Sequence, residues 1–378
     1  MKFLNPHFPL WSRRGFFRKL TLASFAVILM PKRLFSAAWH PSLKETKPAT
    51  NIKDTEKYPR NANSMPGKYP GRVIEVVHAA CTSEGKPVLK ITDEMLKRAM
   101  LELTGAATVN EAWRIFVSPT DRIGLKVNPV AGKLLSTSLE LVKAVTNQLI
   151  EAGIPKSQII IWDRREEDLN EVGFKPEVFN NISVKGTEVK DKAGSFFDKD
   201  GKLYSEAMID KQWYYWADVD SKYDAETFPY MVNEGKYSYF SKLVTQEMDK
   251  IINIPVLKNA GPSVTLAMKN LAFGTITNTG RLHKELWAET CAEVCAFSPL
   301  RDKLVLNIID GIKGCYQGGP AANPQFISEF KTILTATDPV AIDRIGYEII
   351  LKKRVEEKIQ KEDNPAGRRF MDLASALQ

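Results

Sequence analysis

Apolar residues along this chain fall into short, nearly unbroken runs separated by longer stretches with an apolar position every three or four residues. The short runs, "DRIGLKVN" (Asp121 to Asn128), "QIIIWD" (Gln158 to Asp163), "DKIINIPVL" (Asp249 to Leu257) and "KLVLNIIDG" (Lys303 to Gly311), predict strands buried on both faces. The longer stretches predict helices at "ITDEMLKRAMLELTG", "STSLELVKAVTNQLIEAG", "SVTLAMKNLAF" and "KELWAETCAEVCAF". Their ends carry the expected punctuation: hydroxyl residues before the second, and glycine after the first two. Near the C-terminus, "FKTILTATDPVAIDRIGYEIILKKRVEEK" reads as strand, turn and long helix, with Asp338 as cap and Pro339 in the first turn.

Strand, helix and strand at this spacing make βαβ units, so the fold class is α/β, a mostly parallel sheet covered by helices on both faces. From about 190 to 240 the period is lost in "GSFFDKDGKLY", "KQWYYWADVD" and "FPYMVNEGKYSYF". Such aromatic density predicts an insertion with short hairpins, either a lid over a site or a small satellite core. Residues 39–70, rich in Pro, Lys, Asn and Thr, read as an extended arm, leaving 71–378 as the α/β domain.

Charge changes this picture at one end only. The formal net charge is +8, but seven basic and no acidic side chains fall in residues 1–38, so the remainder carries about +1. Nucleic-acid binding therefore loses its electrostatic footing. The basic segment "SRRGFFRKL" (Ser12 to Leu20) resembles a twin-arginine export motif, and an apolar run to Met30 and the small residues Ser36, Ala37 and Ala38 follow it. Eleven residues at about 1.5 Å each cannot cross a hydrocarbon core of roughly 30 Å. The expectation is a signal peptide over 1–38, export through the twin-arginine machinery to the periplasm, and no membrane span after cleavage. The alternative is an uncleaved basic amphipathic anchor.

Cysteines Cys81, Cys291, Cys295 and Cys315 do not make a disulfide framework in a chain of 378 residues. Within the expected folded core the histidines are His78 and His283, too few for a three-histidine zinc site. His283 is a candidate general acid or base, and His283 with Cys315 the candidate metal ligands. Cys291 and Cys295 read better as small buried thiols.

The richest stretch is "NIPVLKNAGPSVTLAMKNLAFG" (Asn253 to Gly274). Lys258 lies at a strand's carboxyl end, where open α/β sheets bind ligands. If Ser263 caps the next helix, its free N–H groups, with Lys258, Lys269 and Asn270, form a site for a carboxylate or phosphate. The competing reading is that both lysines solvate the surface. Lys126 and Asn128 share one face of a strand end and can point into the same cleft. In "NIIDGIKGCYQGGP", Asp310 ends a strand, and Gly311, Gly314, Gly318 and Gly319 allow backbone to approach a ligand, or simply make a tight loop. The dinucleotide and phosphate-loop fingerprints are both missing.

Taken together, "DRIGLKVNP", "IEAGIPKSQIIIWDR", "IINIPVLKN", "VTLAMKNLAFGTI", "LNIIDGIKGCYQGGP" and "ILTATDPVAIDRIG" resemble the DUF362 family over roughly Arg72 to Tyr347. Many larger relatives carry a ferredoxin-like C-x-x-C segment; this chain lacks it, so an iron–sulfur cluster is not expected. The family often has a histidine soon after the Lys of "PVLK", where Asn259 and Ala260 stand here. More distantly, Asp121 to Asp163 with the lysine-rich helix start resembles the N-terminal domain of the lactate racemase family. That family's nickel-bearing nucleotide cofactor implies Lys258, Lys269 and His283 as the candidate contacts. The leading expectation is thus an exported enzyme binding an anionic small molecule, or a nucleotide-like or metal cofactor, at the sheet's carboxyl edge. The alternatives are a non-catalytic periplasmic binding or redox-partner protein, and a purely structural one.

Overall fold

Whole-strand burial organises the chain: every residue of Ile123–Lys126 and of Ile159–Asp163 is buried, as β-branched and aliphatic runs require when both faces of a sheet are covered. The computed structural model describes residues 47–188, 208–219, 235–360 and 363–378. The expected signal peptide lies outside the described residues, and Lys47–Gln378 form one unit.

Strand β1 (Ile74–Val77) and a small hairpin, β2 (Thr82–Ser83) with β3 (Lys86–Pro87), lead into α1 (Leu89–Thr104) and α2 (Val109–Arg114). The expected alternation follows as β4 (Ile123–Lys126), α3 (Leu139–Glu151), β5 (Ile159–Arg165), α4 (Glu166–Val172) and β6 (Ser183–Glu188). An antiparallel hairpin, β7 (Ile209–Trp216) and β8 (Tyr237–Ser241), precedes α5 (Lys242–Gln246). Next come β9 (Lys250–Asn253), β10 (Val256–Ala260) and β11 (Ser263–Thr265). Four helices follow: α6 (Ala267–Thr275), α7 (Gly280–Glu285), α8 (Trp287–Ala296) and α9 (Ser298–Arg301). The chain closes with β12 (Leu304–Cys315), β13 (Ile327–Ser328), β14 (Thr332–Ala336), α10 (Pro339–Glu356) and α11 (Pro365–Leu377).

The main sheet runs β1-β14-β12-β9-β4-β5-β6, parallel from β12 to β6 and antiparallel at β14 and β1. One face packs on α1, α2 and α3 through Leu96, Trp113, Leu141 and Leu149; the other packs on α6, α8 and α10 through Leu271, Val294 and Ile342. The mixed, mostly parallel α/β architecture with helices on both faces is as the sequence pattern predicts. The aromatic insertion is present in its described parts as the β7–β8 hairpin, where Tyr237 and Tyr239 stack at 5.9 Å. Tyr215 donates to Glu293 of α8 at 2.9 Å, and that carboxylate also receives Lys47 and Thr50 of the expected arm.

Two expected elements differ. The apolar run through Leu257 is two strands, because Pro255 has no N–H to continue the ladder, and its carbonyl instead accepts from the Asp310 N–H at 2.8 Å. Ser263 does not open a helix. Gly261, at φ +54, turns the chain, and Ser263–Thr265 returns as β11 against Lys258–Ala260. The Ser263 hydroxyl donates to the Gly367 carbonyl at 2.5 Å. The following helix, α6, begins at Ala267 and is capped from far along the chain: Asp343 of α10 accepts the Ala267 N–H at 2.6 Å and the Met268 N–H at 3.0 Å.

Replacing Asp343 with Ala leaves those N–H groups buried without acceptors and should cost about 1–3 kcal/mol, read as a lower urea midpoint. An unchanged midpoint would mean that α6 does not depend on this cap.

Candidate functional site

Chain connection selects one position on the sheet. β4 and β9 are parallel neighbours, but the chain leaves β4 towards β5 and leaves β9 in the opposite direction, towards β12. The crevice beyond their carboxyl ends is where such sheets bind ligands. Here it is a cleft of about 400 Å³. Lys126 ends β4, Asn128 follows it, Asp163 comes from β5 and Lys258 from β10. One turn of α6 adds Lys269, Asn270, Phe273 and Gly274, α7 adds His283, and Pro320 comes from the loop after β12.

Five basic side chains and two acidic ones line this cleft, and three of the basic ones are buried lysines. Lys126, 1 % exposed, is paired with Asp163, 3 % exposed; its ammonium also donates to Val127 O at 2.9 Å and Asn270 Oδ1 at 3.1 Å. It sits 5.4 Å from the centre of the Trp162 ring. Burial pushes Lys126 down from the usual lysine range, and Asp163 opposes that shift.

Lys258 and Lys269 are buried without such compensation: among the described residues neither lies within ion-pair distance of a carboxylate. Lys258 donates to Asn128 Oδ1 at 2.8 Å. Lys269 lies 3.4 Å from Thr265 Oγ1, between the rings of Phe273 and Trp287. Lys258 and Thr265 are cross-strand partners in the β10–β11 hairpin, so Thr265 brings the two ammonium groups to one place. Burial, and then repulsion from Lys269, push Lys258 down to about 7 against the opposing charge of the Asp163 carboxylate; burial likewise lowers Lys269.

A chain of buried amides holds this arrangement. Asn307 donates to Thr337 O at 3.2 Å, Asn253 to Asn307 Oδ1 at 3.0 Å, Asn270 to Asn253 Oδ1 at 2.8 Å, and Asn128 to Asn270 Oδ1 at 2.8 Å. Each amide therefore has its orientation set by the next, and the last oxygen, Asn128 Oδ1, is turned towards Lys258. Close packing adds a further constraint: a Cβ on Gly274 would come within 2.5 Å of Lys126 Cε.

His283 stands at the mouth, open to solvent on one side, with its ring 4.2 Å from that of Phe273. Its Nδ1 lies 3.0 Å from Thr279 O, a group that only accepts, which assigns the ring proton to Nδ1 and leaves Nε2 an acceptor. Enclosure by protein and the nearby Lys269 push the histidine down to about 3. Its open side weakens that shift through solvent screening but leaves the ring neutral at pH 7. The hairpin fixes α7, since Arg281 donates to Lys236 O at 2.8 Å and Ser238 Oγ at 2.9 Å. The hairpin's described residues do not line the cleft.

Of the residues expected from sequence, Lys126, Asn128, Lys258, Lys269, Asn270 and His283 come together here. Ser263 does not, for the reason given above. Nor do Asp310 and Gly311, which lie inside β12 rather than at its end. Asp310 accepts from the Ser138 N–H and hydroxyl at 2.8 and 2.7 Å, and a Cβ on Gly311 would meet Thr332. Gly318 and Gly319 shape the turn that brings Pro320 to the rim: Gly318 has φ +80, and a Cβ on Gly319 would collide with Asn259 O. Cys315 is buried with Leu135 and Val256, donates to Gln317 O at 3.0 Å, and does not share the cleft with His283. Among the described residues no three His, Cys, Asp or Glu side chains come together as a metal site.

Asp163 was not anticipated. Asp163 was legible by the same strand-end rule that selects Lys126, since it closes "QIIIWD".

The family described as "Domain of unknown function (DUF362)" matches residues 123–348, more than half of the chain and every residue lining the cleft. No curated protein matches the sequence. Among solved structures, the lactate racemase apoprotein from Thermoanaerobacterium thermosaccharolyticum aligns at 9% identity and a TM-score of 0.38. The alignment covers 68% of this chain and 54% of that one, so this chain spans about half its length.

The three lysines should separate in a stability measurement. Lys126→Met strands Asp163 as a buried charge and should cost about 3–5 kcal/mol. Lys258→Met removes a cation that has no carboxylate and should leave stability within about 1 kcal/mol of the parent, or raise it. Because the folded Lys258 binds its proton less tightly than the unfolded one, the parent should gain stability as pH rises from about 7 towards 10.5. Lys258→Met should lose the Lys258 part of that gain, keeping only what the other lowered lysines contribute. Equal losses for both substitutions in chemical denaturation would contradict this reading.

Proposed function

The chain belongs to the DUF362 family, and we propose that it is an enzyme whose cleft binds a small carboxylate- or phosphate-bearing molecule, with Lys258 exchanging a proton during turnover. One observation carries the proposal: two buried lysines, Lys258 and Lys269, share the cleft without a carboxylate partner among the described residues. Burying an uncompensated cation is costly, and an anionic ligand offsets that cost. The enzyme reading is favoured over passive binding because an amine held near 7 is present in both protonation states at neutral pH.

In this mechanism Lys269 and the protonated Lys258 neutralise the ligand's charge. Lys126, fixed by Asp163, orients Asn270 and through it Asn128, which aims the Lys258 ammonium. His283, neutral and with Nε2 free to accept, takes a hydrogen bond from a ligand hydroxyl or N–H rather than acting as the general acid. A nucleotide-like cofactor is a special case of this reading, its phosphate meeting the same lysines.

We further propose export. The pair Arg13 and Arg14, the apolar run to Met30 and the small residues at 36–38 support passage through the twin-arginine machinery. Among the described residues no helix is long and apolar enough to cross a membrane. Changing Arg13 and Arg14 together to Lys should retain the protein in the cytoplasmic fraction of the native host, whereas unaltered fractionation would contradict export by this route.

Isothermal titration with succinate and with sulfate, whose charges are constant across the neutral range, tests the site. Affinity should be highest below pH 7 and fall above it as Lys258 loses its proton in the free protein, with proton uptake on binding near pH 8. Lys269→Met should weaken binding at least about tenfold, or 1.4 kcal/mol. Binding that ignores both pH and Lys269, or no binding of either anion, would overturn the proposal.

A further inference from the structure

The cleft has more cationic capacity than simple anion capture needs, and its two uncompensated lysines are not equivalent. Lys269 sits deep between Phe273 and Trp287, with Thr265 Oγ1 at 3.4 Å as its polar neighbour among the described residues. That is a charge held against aromatic faces, suited to an anion and poorly suited to moving. Among the described residues Lys258 makes one hydrogen bond, from the floor to Asn128 Oδ1. A carbonyl-type acceptor is satisfied equally by an ammonium or by a neutral amine, so the partner that aims Lys258 does not require it to be charged. The orientation of Asn128 is fixed in turn by Asn270, Asn253 and Asn307. Beside a second cation, in a water-poor floor, an amine is activated as a nucleophile towards carbonyl carbon.

We propose that Lys258 is a Schiff-base lysine: its amine condenses with the keto group of a 2-oxo acid whose carboxylate is held by Lys269. This rests on the anion-binding reading above and names the ligand class and the chemistry for that site. The cross-strand pairing of Lys258 with Thr265, and the contact of Thr265 with Lys269, put the nucleophile and the carboxylate-binding group on one side of the hairpin. A 2-oxo acid has its carbonyl and carboxylate on adjacent carbons, which matches a nucleophile and an anion-binding cation sharing one small cleft.

The step balances without an outside reagent. The nitrogen lone pair of Lys258 forms a bond to the keto carbon, and the C–O π pair moves to oxygen. After proton transfer from nitrogen to oxygen the carbinolamine loses water, so amine plus ketone gives imine plus water. Once protonated by solvent, the imine is an electron sink, suited to proton loss at the neighbouring carbon to give an enamine.

The intact folded protein is incubated with pyruvate and sodium borohydride, and modification is located by intact mass and peptide mapping. The expected result is one reduced pyruvyl adduct per chain, on Lys258, lost in Lys258→Arg. In Lys269→Met the pyruvate concentration for half-labelling should rise at least tenfold. Circular dichroism of both variants separates this outcome from misfolding, and pyruvate calorimetry on the parent is the second readout. Pyruvate that binds without trapping at Lys258 would overturn the Schiff base and leave the anion site standing. Pyruvate that neither binds nor traps, or adducts scattered over surface lysines with Lys258 unmodified, would overturn the Schiff base, while the succinate and sulfate titrations decide the anion site separately.

Discussion

Burying a cation without a counter-ion is the constraint on which this site turns. Lys126, Lys258 and Lys269 converge from β4, β10 and α6, yet Asp163 alone answers them with an ion pair among the described residues. A fold selected only for stability would replace the other two with apolar side chains of similar volume. That Lys258 and Lys269 stand here, held by Asn128 and Thr265, is the physical argument for the proposed anionic ligand. The rest of the arrangement supports it: Asp343 caps the helix that carries Lys269 and Asn270, and the β7–β8 hairpin fixes the helix that carries His283.

The Asn307, Asn253, Asn270 and Asn128 amides link the carboxyl ends of β4 and β9, on the two sides of the point where the chain reverses direction, to the lysine floor. Each amide satisfies its neighbour, so no member can rotate without leaving a buried polar group unpaired. Such a network resists small displacements and keeps an uncomfortable charge in position. Its cost is rigidity, which a site that binds a compact anion tolerates well.

Much of this was legible in the sequence. Alternation along "DRIGLKVN" puts Lys126 and Asn128 on one face, and the strand-end rule points to Lys258; all three side chains are in the cleft. The same rule applied to "QIIIWD" would have found Asp163. What sequence could not supply came from distance along the chain. The turn at Gly261 makes a hairpin where a capped helix was expected, and the true cap, Asp343, is separated from Ala267 by 76 positions. The glycines at 311 and 314 are open in sequence to a ligand approach or to a tight loop, and here Gly311 accommodates Thr332 and Gly314 accommodates Leu257 O and Phe330. Glycine composition signals close approach without saying whether a ligand or a neighbouring strand approaches.

The central claim is that Lys258 is an uncompensated buried amine awaiting an anion. Its titration, followed by nuclear magnetic resonance of the lysine side-chain methylene groups with and without saturating succinate, tests this most directly. The account predicts a midpoint near 7 in the free protein, rising when the anion binds. A midpoint near the ordinary 10.5, unmoved by the anion, would contradict it.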